Sequence, residues 1–185
     1  MHLNYKNNII LFDFIPNPTK LKYFQLIGKI MILLSSDFKD GDFLDKKFSL
    51  SSDYGFGCSG SNIRPQLRWE NISEKVEELA ITVFDPDAPT GCGFWHWILV
   101  GIDKKYCELN DECLSKSLQV QNDFGSYGYG GPCPPENDHP HRYFFTIYGL
   151  NSKIDAHKDT PAAQIAFQLH FKTFEKATLL GLFKR

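Results

Sequence analysis

The chain has 185 residues, 42% of them hydrophobic and 15% aromatic, which is enough for one domain with a substantial core and too little for two. A formal net charge of −2 excludes binding to nucleic acid or anionic membranes through bulk charge. The five cysteines (Cys58, Cys92, Cys107, Cys113, Cys133) are odd in number and irregularly spaced, with no Cys-x-x-Cys pair, which argues against a structural zinc site. They read as a reduced, cytoplasmic set, with a Cys107–Cys113 disulfide as the alternative in an oxidising compartment.

Residues 1–30 differ from the rest: a polar start, the Pro16-Asn17-Pro18 breaker, then Lys20 to Lys29. Lys29 interrupts the apolar run that a secretory signal requires, and the stretch is too short and broken to span a bilayer. We read 1–30 as an N-terminal extension, with Met31 as the start or, alternatively, a weak signal segment, and 31–185 as the folded domain.

From Met31 the pattern is mainly strands. Ile32 to Phe38 and Phe43 to Leu50 flank Asp40-Gly41-Asp42, a hairpin signal. Ser51 to Asn62 is a Gly- and Ser-rich loop. Leu79 to Phe84, Trp97 to Ile102 and Tyr143 to Tyr148 are β-rich runs, the second apolar on both faces and so expected at the centre of a sheet. Thr160 reads as a helix cap with Pro161 at the first helical position; Ile165 and Leu169 follow at helical spacing, with Ala166 and Phe167 widening the apolar side. Ala177 to Phe183 reads as a closing strand.

Acids and histidines sit at the ends of these apolar runs, where burial without a partner would cost kilocalories. Asp85 and Asp87 in Asp85-Pro86-Asp87-Ala88-Pro89 share a face if the backbone is extended, but Asp and Pro are also ordinary turn residues. His96 lies between Trp95 and Trp97, which point away from it in a regular strand while Phe94, Ile98 and Val100 share its face. A satisfied core histidine and a site histidine both fit that position. His139 and His141 alternate likewise. Two histidines and two aspartates could ligate zinc or iron, but prolines interrupt both pairs and no helical His-Glu-x-x-His exists. Gly125 to Gly131 is not a P-loop; its N–H groups could converge on an anion or simply let the chain turn. No activated nucleophile is recognisable.

The Asp-Pro-Asp-Ala-Pro segment, Trp95-His96-Trp97, and Gly130-Gly131-Pro132-Cys133-Pro134-Pro135 leading to His141-Arg142-Tyr143 together resemble the phosphatidylethanolamine-binding protein family, in its bacterial YbhB/YbcL-type branch. Asn62 to Trp69 and Asn122 to Gly125 support the resemblance, which runs from about Met31 to the end of the chain. It implies a mainly β fold: a central antiparallel sheet, a smaller second sheet and a C-terminal helix. It also implies a pocket for a small anionic or phosphorylated ligand, with Asp85, Asp87, His96, Gly131, Pro135, His141 and Tyr143 as binding residues. In that picture His96 and His141 donate to an anionic oxygen beside the glycine-loop N–H groups, and the two aspartates orient the imidazoles. No cofactor or metal is implied. Family analogy adds a kinase or protease partner and a homodimer, with no enzymatic activity; the alternative is a hydrolase or metal-dependent enzyme using the same acids and histidines. Two departures stand out: Arg64 at a usual serine position, which adds a cation near the site, and Phe94 where tryptophan is common.

Overall fold

A computed structural model describes residues 30–185, so the extension expected over residues 1–30 lies outside the described residues except for Ile30. Alternation of apolar residues builds the central strands β4 (Glu78–Asp85) and β7 (His141–Leu150), which pair antiparallel from Glu78↔Leu150 to Phe84↔Phe144. Leu79, Ile81 and Val83 of β4 enter one core with Tyr143, Phe145 and Ile147 of β7, while Ala80 enters a second core on the opposite face. β5 (Phe94–Ile102) flanks β4, and β8 (Thr173–Phe183) flanks β7.

The main sheet closes with β6 (Leu118–Val120) beyond β5 and β2 (Asp42–Phe43) beyond β8, in the order β2-β8-β7-β4-β5-β6. All neighbours are antiparallel except β2 and β8. A smaller antiparallel sheet joins β1 (Ile32–Leu34) to β3 (Arg68–Glu70). This is the mainly β architecture expected, with a central and a lesser sheet.

The hairpin expected around Asp40-Gly41-Asp42 does not form. Gly41 turns the chain with φ 84°, but β1 and β2 belong to different sheets. The reason is the open edge of β8, whose backbone groups need partners. Gly41 N–H donates to Leu180 O at 2.8 Å, Leu44 N–H to Leu182 O at 2.7 Å, and Leu180 N–H to the Asp40 carboxylate at 2.8 Å. Beyond Phe43 the expected strand is replaced by a 3-10 turn, Lys46–Phe48, capped by Asp45 accepting from Lys47 N–H.

The short helix α1 (Asp111–Lys116) was not foreseen; Asn110 caps it by accepting from Cys113 N–H at 2.9 Å. The C-terminal helix α2 (Ala162–Lys172) begins one residue later than expected, with Pro161 at the cap position. Thr160 Oγ1 instead accepts from His157 N–H, fixing the approach loop. Ile165 and Leu169 pack on Ala80, Ile98, Val100 and Leu150, whereas Phe167 points outward and is 67% exposed. No helix among the described residues is long and apolar enough to cross a membrane.

Candidate functional site

Period-two alternation carries the first core face to the ends of β4 and β7 and places polar groups there. Asp85 continues the Leu79, Ile81, Val83 face; His141 and Tyr143 continue the Phe145, Ile147 face. All three are at most 2% exposed. The Asp85 carboxylate accepts from His141 Nδ1–H at 2.8 Å with one oxygen and from Asp87 N–H at 2.8 Å with the other. The second contact makes Asp85 a turn residue and a site residue at once. Burial lowers the pKa of His141, but Asp85 and Asp138 outweigh it, so the net shift is upward.

His96 reaches the same place by a bulge. Val83 pairs with Trp97 and Phe84 with Trp95, which leaves His96 as the extra residue on β5. The irregularity overturns the expected facing. His96 packs edge-on against Tyr143 at 5.1 Å, and Trp97 lies in the same core as Tyr143, while Ile98 and Val100 lie in the other. His96 Nδ1 is 2.8 Å from Gly130 O, so that nitrogen carries the proton and donates. Burial, only partly offset by the Gly130 carbonyl and Asp85, lowers its pKa to about 4. The ring is therefore neutral near pH 7, and Nε2, 4.0 Å from the nearest Asp85 oxygen, offers a lone pair and not a donor.

Tyr143 supplies the missing donor. Among the described residues its buried hydroxyl has no partner in hydrogen-bonding geometry, while burial and the nearby Asp85 carboxylate push its pKa up and keep it protonated. Asp85, His96, His141 and Tyr143 line one cleft of about 390 Å³, walled by Phe94, Phe124, Pro134 and Pro135. Phe94 is therefore a wall residue, packed edge-on against Phe124 with ring centroids 4.6 Å apart.

Two of the residues implied by the resemblance stand behind this cleft. Asp87 touches neither imidazole; its carboxylate takes Arg142 N–H and Nε–H at 2.9 Å and an Nη2–H at 2.8 Å. The Arg142 hydrogen bonds, only partly opposed by burial, hold Asp87 down to about 2. Gly131 is packed, not exposed: a Cβ there would come within 2.1 Å of Phe48 O. Two of the glycine-loop donors are also taken. Gly130 N–H donates to His96 O at 2.9 Å and Gly131 N–H to Asn62 Oδ1 at 2.7 Å, so neither faces an anion.

Three features escaped the sequence reading. Arg185 lines the cleft, its guanidinium donating to Pro134 O at 3.0 Å. Cys58 and Cys133 form a disulfide across 75 residues, where a reduced set was expected, while Cys107 and Cys113, the pair weighed as the alternative, are free. Asn122 anchors Phe124 by accepting from Phe124 N–H and Ser126 N–H at 3.1 Å. Arg64, conversely, is remote: its guanidinium lies 6.0 Å over the Trp97 ring, away from the cleft.

The comparisons with known proteins agree with this architecture. The UPF0098 protein YbhB of Escherichia coli strain K12 is 34% identical over 161 residues, 83% of this chain and 99% of that protein. YbcL of the same organism is 34% identical over 159 residues, 81% of this chain and 85% of its own length. The crystal structure of E. coli YbcL superposes with a TM-score of 0.80 at 32% identity, covering 85% of this chain and 99% of that one. The family model for phosphatidylethanolamine-binding protein matches residues 34–184, and the chain belongs to that family.

Proposed function

We propose that this protein is a non-enzymatic binding protein whose cleft takes a small ligand that carries both an anionic oxygen and a proton donor. The observation that carries the reading is the buried Tyr143 hydroxyl, which has no partner in hydrogen-bonding geometry among the described residues and lines the same cleft as two acceptor residues, Asp85 and His96. A buried donor without a partner costs roughly 1–3 kcal/mol, and a ligand oxygen would recover it. Acceptors 4.0 Å apart leave room for one proton-bearing group between them. A phosphoethanolamine-type zwitterion meets both demands, with its ammonium toward Asp85 and a phosphate oxygen on Tyr143. Bare phosphate dianion would face the Asp85 carboxylate and should bind more weakly. Arg185 at the rim adds a cation for the anionic end.

The hydrolase alternative finds little support in the cleft. Cys133 is held in the disulfide, and the Thr90 hydroxyl donates to Gly93 O and lacks an adjacent base. A kinase or protease partner and a homodimer rest on family resemblance alone. A second cleft of about 370 Å³ beside Trp95, His170 and Lys176 gathers no such set of buried acid and histidine.

The test is calorimetric titration of the full chain with phosphoethanolamine and with inorganic phosphate. Tyr143→Phe should weaken phosphoethanolamine binding roughly five- to tenfold and also raise the melting temperature, because it removes a buried hydroxyl that lacks a partner. Unchanged affinity in the variant would overturn the reading.

A further inference from the structure

Besides its contact with Asp85, His141 has a second ring nitrogen that meets a different residue. Its Nδ1–H is fixed by Asp85 at 2.8 Å, which aims Nε2 outward toward Asp138 Oδ2 at 3.4 Å. His139 lies beside it, its ring 5.2 Å from that of His141 and its Nδ1 2.8 Å from Asp138 Oδ1. One ligand atom from each of Asp138, His139 and His141 lies within 4.8 Å of the others. From these contacts we infer that the three residues form a binding site for a divalent first-row transition ion at the mouth of the cleft.

The chemistry of the donors supports this. Two imidazole nitrogens and one carboxylate suit zinc and its neighbours, not calcium or magnesium, which prefer oxygen ligands. Donors roughly 2 Å from a tetrahedral zinc ion sit roughly 3.3 Å apart, and the 3.4 Å His141–Asp138 contact is already at that spacing. Asp85 supplies the outer partner that ligating histidines need: a carboxylate on the far ring nitrogen, which fixes the ring and raises its basicity. The three ligands differ in mobility. His141 is rigid and 1% exposed, whereas the side chains of His139 and Asp138 are 62% and 35% exposed and free to close on an ion.

The inference does not depend on the organic ligand, so zinc alone is the probe. Full-length protein prepared without an affinity tag and stripped with chelator is titrated with zinc chloride by calorimetry. Cobalt(II) is then substituted to read the ligand set from its visible spectrum. One equivalent should bind, His139→Ala and Asp138→Asn should each weaken it at least tenfold, and His170→Ala should not. His139 and Asp138 are partly exposed, so unchanged melting temperatures will show that both variants fold. Tyr143→Phe should leave zinc affinity within twofold of wild type, and His139→Ala in chelator-treated protein should leave phosphoethanolamine affinity within the same range, which separates failure of this inference from failure of the cleft reading. No saturable zinc binding, or binding that His139→Ala leaves unchanged, would overturn the site.

Discussion

His96 shows how one residue's protonation follows from its position. The bulge on β5 turns it into the core against Tyr143, the Gly130 carbonyl claims its Nδ1 proton, and burial makes a second proton costly. Its folded pKa of about 4 lies below the ordinary value of 6.5, so between these values the unfolded chain binds a proton that the folded chain refuses. The stability this group contributes is therefore complete above about pH 6.5 and falls as pH drops toward 4, by at most about 1.4 kcal/mol per pH unit. Urea unfolding of wild type and His96→Asn from pH 7 to 4.5 checks this, since asparagine can still donate to Gly130 but does not titrate. The wild-type stability should fall more steeply, and coincident slopes would show that His96 is not held neutral.

At the scale of elements, Asp87 ties the turn after β4 to β7 through Arg142. Removing it in Asp87→Ala leaves the half-exposed Arg142 to solvent, so the loss should be about 1–2 kcal/mol and not the full strength of three charge-assisted bonds. Because Asp87 is held to about 2 against an ordinary 3.8, its contribution is present above pH 3.8 and lost as pH falls toward 2; denaturation curves on the variant should lack that acid step. The strands bearing the site were legible because alternation repeats along β4 and β7, and Asp85, His141 and Tyr143 keep the phase of the apolar residues beside them. The bulge was not legible, since slipping one residue demands nothing of the residue that slips. The Asp-Gly turn at 40–42 specified a reversal, but not the strand that the reversed chain would join. Likewise the glycines announced an unusual backbone without saying whether its N–H groups would meet a ligand or, as happens, Asn62 and the His96 carbonyl.

For the whole molecule, the Cys58–Cys133 disulfide joins the Gly- and Ser-rich loop to the wall of the cleft. Such connectivity between distant cysteines cannot be read from spacing. The loop also carries Phe56, which packs on Phe124 at 5.3 Å and whose carbonyl accepts from Arg185, so the bond fixes a rim made of three separate segments. Closing a loop of 75 residues restricts the unfolded chain by about 4 kcal/mol, provided native packing is unstrained. Cys58→Ser with Cys133→Ser should therefore lower stability by up to that amount, and reduction of the wild type should lower its melting temperature as far as the double substitution does. Whether the bond forms in the cell bears on the cytoplasmic setting expected from the cysteine count, because disulfides persist in oxidising compartments. Protein trapped from cells with an alkylating agent under denaturing conditions should take up three labels, at Cys92, Cys107 and Cys113, and the remainder of the five only after reduction. Five labels before reduction would place the protein in a reducing compartment and leave the loop tethered by Phe56 and Arg185 alone. The cleft would then be expected to be looser at its rim, while Asp85, His96 and Tyr143, anchored on β4, β5 and β7, would stay in place.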